Sequence, residues 1–163
     1  MDGNAQQHIR LDGIADYTGA LDSLCKLAKR SLYLFEKNYD GLGFNAEARY
    51  ETLRGFLLVN PANRLFMLAH DSRYLSTQCP RMKMLLEQFD SGMFIYQTPK
   101  HLQHITEPFG IADEAHYVRR FHFDDPRGIF VQHDPENALA LKSRFMELWS
   151  ASRQAISPTT LGL

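Results

Sequence analysis

The chain has 163 residues, 44% hydrophobic and 23% charged, with a formal net charge of −1. That length holds one domain with a proper core but not two, and the charge balance excludes bulk attraction to nucleic acid or membrane while leaving room for a local basic patch. Two distant cysteines, Cys25 and Cys79, exclude a disulfide framework or metal knuckle, and with no apolar run of leader or bilayer length the expected location is the reducing cytoplasm.

Residues 1–13 are mostly polar and carry two glycines, so a flexible N-terminal arm or a first edge is expected there. From Asp16 onward Tyr17, Leu21, Leu24, Cys25 and Ala28 recur at helical spacing. Asp16 suits the N-cap, and Lys26, Lys29 and Arg30 suit the C-terminus. Residues 31–36 (SLYLFE) are a compact apolar run flanked by charge, which predicts a buried strand. A second helix is predicted over residues 45–59, with Ala46, Tyr50, Leu53, Leu57 and Leu58 on one face. Asn60-Pro61 ends it, because the residue before proline is pushed out of helical geometry.

Residues 64–70 (RLFMLAH) form the second predicted strand, followed by one helical turn over residues 71–76. A helix over residues 80–89 places Pro80 at its permitted first position, and residues 93–97 (MFIYQ) form the third strand. The order αβαβαβ argues for a parallel sheet covered by helices.

Residues 109–131 break that rhythm. Three short strands are predicted, with Asp125-Pro126-Arg127-Gly128 as a type I turn and with Asp113, His116, Arg119, Arg120 and His122 displayed on them. Asp134-Pro135-Glu136 opens a final helix whose inward face is Ala138, Leu141, Phe145, Leu148 and Trp149. The expected organisation is one domain over residues 14–152, with a loose C-terminal tail over residues 153–163.

The strand FGIAD, the short strands after it and the closing helix NALALKSRFMELW resemble one repeat of the phospholipase D superfamily. The words HDSRYL, CPRMKMLL and DE-HYVRRFHFD-PRG are similar to an uncharacterised bacterial group of single-repeat phospholipase D-like domains, which occur alone or fused to an acetyltransferase. The resemblance implies an α/β fold with a mixed, mostly parallel sheet, helices on both faces, and a two-fold homodimer. The superfamily reaction uses His-x-Lys followed four residues later by Asp: a nucleophile, a phosphate clamp and an orienting acid. No histidine of this chain begins that pattern. With Asp113 at the aspartate position, Thr106 and Pro108 stand where His and Lys belong.

Ligands of parallel sheets gather outside the carboxyl ends of the strands. Glu36, His70-Asp71, Gln97-Thr98 and Asp113 are expected at that edge. His70-Asp71-Ser72-Arg73 reads first as a strand exit with an aspartate cap and an ion pair, since carboxylates and short polar residues cap helices routinely. Of Arg119 and Arg120 only one can face a given pocket, since neighbours in a strand point to opposite faces. The inward arginine, with Arg73 or Arg81, would grip a phosphate or carboxylate. The other would be solvated or paired with Glu114, Asp124 or Asp125. His101 and His104 lack a third metal ligand, and Cys79 lacks a base partner.

No cofactor or metal is expected. The leading expectation is a non-catalytic phospholipase D-like domain binding an anionic ligand or protein partner through His70, Asp71, Arg73, Arg81, Asp113, His116, Arg119 and Arg120. It includes regulation of a separately encoded acetyltransferase. The alternative is a phosphodiesterase or nuclease with a rebuilt site in which His70 or His116 acts as nucleophile or acid.

Overall fold

The computed structural model describes residues 5–158. In chain order the elements are β1 (Gln7–Leu11), α1 (Ile14–Leu27), β2 (Ser31–Glu36), α2 (Glu47–Val59), β3 (Arg64–Ala69), α3 (Arg73–Gln78), α4 (Pro80–Gln88) and β4 (Met93–Gln97). A 3₁₀ turn (Lys100–Leu102) then leads to β5 (Phe109–Ala112), β6 (His116–His122), β7 (Asp125–Gln132), α5 (Pro135–Ser150) and β8 (Arg153–Gln154). The helices arise where apolar residues recur every three or four positions, as in Tyr17, Leu21, Leu24 and Cys25 of α1. The apolar runs too short for helices are the buried strands.

All eight strands form one sheet in the order β1-β7-β6-β5-β2-β3-β4-β8. It is a mixed α/β sheet with helices on both faces, but it is not mostly parallel. Only β2–β3 and β3–β4 run parallel. The cause is connection length: helical crossovers join β2, β3 and β4, whereas turns of two or three residues join β5, β6 and β7 and can only reverse the chain.

Each face has its own core. On one, α1, α2 and α4 bury Tyr17, Leu24, Leu53, Leu85 and Ile95. On the other, α5 buries Phe145 and Leu148 against Tyr33, Phe35, Phe109 and Tyr117. Side chains of this size contribute about 1.5–3 kcal/mol each when fully buried. Among the described residues no helix is long and apolar enough to cross a membrane.

Residues 7–11, read as a flexible arm or a first edge, form the edge strand β1 and pair antiparallel with β7, covering its outer backbone groups. The C-terminal margin differs from expectation. Arg153 and Gln154, within the expected loose tail, extend the sheet beside β4, and Ala155 donates its N–H to the Ile95 carbonyl at 2.9 Å. Ile156 is buried behind them. Residues 1–4 and 159–163 of the expected arm and tail lie outside the described residues. Asp16 does not cap α1; Gly13 holds the N-cap position, and Asp16 in the first turn accepts from the Asp12 amide at 3.1 Å.

The β6–β7 reversal is also displaced. His122 pairs with Asp125, so the turn is Phe123-Asp124 and residues 125–128 belong to the strand. Arg120 pairs with Gly128, leaving Phe121 opposite Pro126 and Arg127, a β-bulge. The bulge gives Pro126, which has no amide hydrogen, a place in the strand. It also brings Gly128 so close to β6 that a Cβ there would lie 2.0 Å from the Arg119 carbonyl oxygen.

Gly128→Ala is therefore expected to lower unfolding free energy by at least about 2 kcal/mol, since backbone cannot rotate away from the added methyl. Gly55→Ala, on the exposed side of α2 with open space around it, is expected to raise it by about 0.5–1 kcal/mol. Urea denaturation of both variants checks the pair; a neutral Gly128→Ala would refute the bulge geometry.

Candidate functional site at the strand ends

The parallel strands β2, β3 and β4 deliver Glu36, His70 and Gln97-Thr98 to one edge of the sheet. Because side chains alternate across a strand, Phe35 faces α5 while Glu36 faces α1. Glu36 is only 2% exposed. Arg120 donates to one of its carboxylate oxygens at 2.8 Å, and the Tyr17 hydroxyl donates to the other. The Arg120 guanidinium also lies 4.5 Å over the Tyr17 ring and donates to the Phe123 carbonyl at 3.0 Å, although its Nε is buried without a partner. Burial pushes the Glu36 carboxyl up to about 7, against the lowering effect of Arg120 and Tyr17. Arg120 is thus the inward member of the arginine pair, and its charge is engaged by protein. Arg119 faces the α5 side, in register with Phe109 and Ile129.

His70 sits at the same edge on the α5 side. Its Nε2 lies 2.6 Å from the Ile105 carbonyl and its Nδ1 lies 2.6 Å from the Thr98 hydroxyl. A carbonyl can only accept, so Nε2 carries the proton and Nδ1 accepts from Thr98. The ring packs edge-on against Phe35 at 5.1 Å and Phe123 at 5.4 Å. Burial holds its pKa below the ordinary value, with the nearby charges of His104 and Lys37 acting in the same direction. Phe123, at the tip of the β6–β7 hairpin, donates its amide to the Thr106 carbonyl at 2.8 Å. The hairpin tip thereby closes over His70 and over the segment that would start the His-x-Lys pattern.

Asp113 and His116 do not reach this edge. β5 runs antiparallel to β2, so Ala112 pairs with Leu32 and the chain leaves β5 at the opposite edge. There Asp113, at φ +58°, accepts from the amides of Lys29, Arg30 and Ser31 at 2.7–3.1 Å and pins the α1–β2 connection. The His116 Nδ1 accepts from the His133 amide at 3.1 Å, and the two rings meet edge-on at 4.7 Å. His70 and His116 therefore cannot serve one site within a single chain.

The remaining candidates are dispersed. Arg73 forms a two-pronged ion pair with Asp71, as close as 2.6 Å, and Arg81 donates to the Asn45 carbonyl at 2.8 Å. Glu114 pairs with Lys142, and Asp125 pairs with Arg127, so neither meets Arg119. Among the described residues no group of three or more His, Cys, Asp or Glu is placed to hold a metal ion. Cys79 is buried, and burial raises its thiol pKa above the ordinary value. Sequence reasoning missed Tyr17 and Phe123 as members of the strand-end cluster. Both carry the pattern of ordinary core aromatics, and no sequence signal distinguishes them.

The Glu36 shift has a pH consequence. Its folded pKa of about 7 exceeds the ordinary 4.5, so the folded state binds more protons between those values and stability falls as pH rises through that window. His70 and His116, both lowered, act oppositely: their contribution is lost as pH falls below 6.5. The difference between the native chain and Glu36→Gln isolates the first effect. Denaturation midpoints of the native chain should fall relative to those of the variant as pH rises from 4.5 to 8, and parallel pH profiles would contradict the assignment.

No curated protein sequence matches the chain. Its structure is similar to Nuc from Salmonella typhimurium, a phospholipase D family member, with a TM-score of 0.66 and 13% identity over 94% of this chain and 100% of that one. It is similar to NucT from Helicobacter pylori at TM-score 0.57 and 10% identity, over 93% and 100% of the two chains. The archaeal chromatin protein TrmBL2 matches at TM-score 0.68 and 12% identity over 91% of this chain, which spans 55% of that one. At these identities the likeness is one of fold. Residues 14–158 match a family model described as a domain of unknown function, DUF7931, and the chain therefore belongs to the DUF7931 family, here seen to have the phospholipase D fold.

Proposed function

We propose that this chain is a non-catalytic phospholipase D-like domain, a recognition module for an anionic ligand or a protein partner. The observation that carries the reading is the closed strand-end site. Thr106 and Pro108 occupy the His and Lys positions, Phe123 packs over His70, and both His70 nitrogens are engaged by Thr98 and Ile105. A nucleophilic imidazole needs a free nitrogen facing phosphorus and a cation to hold the phosphate oxygens. Lys37 and His104 are exposed and near enough to His70 to act on its pKa, and an anionic group is taken up there at the surface.

A cytoplasmic setting and a two-fold homodimer belong to the same reading. The buried, free Cys25 and Cys79 support the first, and the second rests on the sequence resemblance to single-repeat phospholipase D-like domains. Regulation of a separately encoded acetyltransferase rests on the sequence resemblance, and co-purification of the untagged pair tests it.

The central test is turnover. Purified chain incubated with a chromogenic phosphodiester, single-stranded DNA and double-stranded DNA is expected to hydrolyse none of them faster than buffer. Turnover abolished by His70→Ala or by His116→Ala would overturn the reading in favour of a phosphodiesterase with a rebuilt site. Sedimentation equilibrium showing only monomer at high concentration would remove the homodimer.

A further inference from the structure

β1 is the terminal strand of the sheet, and its outer edge has no strand partner among the described residues. Every second residue along it turns its amide and carbonyl to that open edge. α1 packs most closely on β5, β6 and β7, and on β1 Leu11 is buried while Ile9 is left 47% exposed. Between strand and helix runs a groove of about 540 Å³. Ile9, Leu11 and Phe130 line its sheet side, and Gly19, Ala20 and Ser23 line its α1 side. The small residues on α1 keep that side shallow, and at Gly19 a Cβ would meet nothing within 4 Å.

The groove has a length and a polarity. Asp16 and Lys26 mark its ends along α1, about 15 Å apart at the helical rise. That distance accommodates about five residues of extended chain, and β1 itself has five. The two-residue link between β1 and α1 reverses the chain. Leu11 therefore lies at the Asp16 end, and Gln7, paired with Gln132, lies at the Lys26 end. Lys26 has no ion-pair partner among the described residues.

We propose that this groove binds an extended peptide segment of a partner protein by adding it as a strand antiparallel to β1. The main-chain bonds to β1 supply affinity, and alternate side chains entering the groove supply specificity. The groove selects apolar residues at alternate positions, a basic residue near Asp16 and an acidic residue near Lys26. The site is separate from the strand-end plug, so the proposal stands or falls independently of whether that edge has turnover. A single five-residue strand pairing buries far less than the roughly 800 Å² per partner of a stable protein dimer, which favours a peptide over a second copy of the chain.

The probe is a capped seven-residue peptide: lysine, then three valines alternating with two threonines, then glutamate. Its control exchanges the terminal charges. Titrated into isotope-labelled full-length chain, the first peptide is expected to give saturable amide shifts at residues 7–11 and along the facing turns of α1. The charge-exchanged peptide is expected to bind at least about fivefold more weakly, as is the first peptide to Lys26→Glu. Gly19→Gln fills the groove from an open position on the helix. It is expected to weaken binding at least about tenfold while leaving Tm unchanged or raised, because glutamine favours helix over glycine. Absence of saturable shifts up to millimolar peptide, equal binding of the two peptides, or indifference to Gly19→Gln would overturn the proposal. So would a concentration-dependent dimer whose own shifts fall on β1, which would assign the groove to a second copy.

Discussion

A buried ion pair holds the strand-end region in its present shape. Glu36 and Arg120 come from strands on either side of β5, and each is almost fully withdrawn from water. Two such charges are costly to desolvate, and the cost is offset only when geometry and additional hydrogen bonds are good. Here Tyr17 completes the carboxylate and stacks beneath the guanidinium, while the Phe123 carbonyl takes a further guanidinium hydrogen. The pair therefore ties α1, β2, β6 and the β6–β7 hairpin tip together at one point. Replacing either partner alone would strand the other charge in a low-dielectric interior, a more severe loss than any one apolar contact there.

That tie explains why the edge is closed. The hairpin tip, drawn in by Arg120, lays Phe123 against Phe35 and His70. His70 then spends its donor on Ile105 and its acceptor on Thr98, and its neutral form is the one burial favours. In a sheet of this type the strand ends are the natural place for a ligand. This chain fills them with an aromatic plug and a neutralised charge pair, and Lys37 and His104, both exposed, lie near His70.

The opposite edge is organised by a different economy of hydrogen bonds. Asp113 lies in the left-handed region and gathers three successive amides at the start of β2. Those amides would otherwise be unpaired at a chain entry, so the aspartate works as a structural clasp between the β5–β6 connection and the α1–β2 connection. His116 and His133 form a second local clasp beside it. The β1–α1 groove belongs to neither edge. It lies where α1, packed most closely on β5, β6 and β7, leaves Ile9 of the terminal strand exposed.

By itself the sequence determined most of the elements and the family resemblance. The helical spacing of Tyr17, Leu21 and Leu24, the short apolar runs of β2, β3 and β4, and the Asp134-Pro135 start of α5 are local patterns that burial enforces wherever they occur. The missing His and Lys before Asp113 were legible for the same reason, since a motif is a matter of spacing. Tertiary structure alone decided which candidates meet. Asp113 reads as a strand-end acid until the antiparallel insertion of β5 carries it to the far edge. Arg120 rather than Arg119 turns inward because alternation on β6 is set by its partners. At the margins, residues 7–11 become strand only because β7 offers unpaired backbone, and Arg153 and Gln154 only because β4 does. Direction, register and edge are properties of strand partners distant in the chain, and no local pattern encodes them.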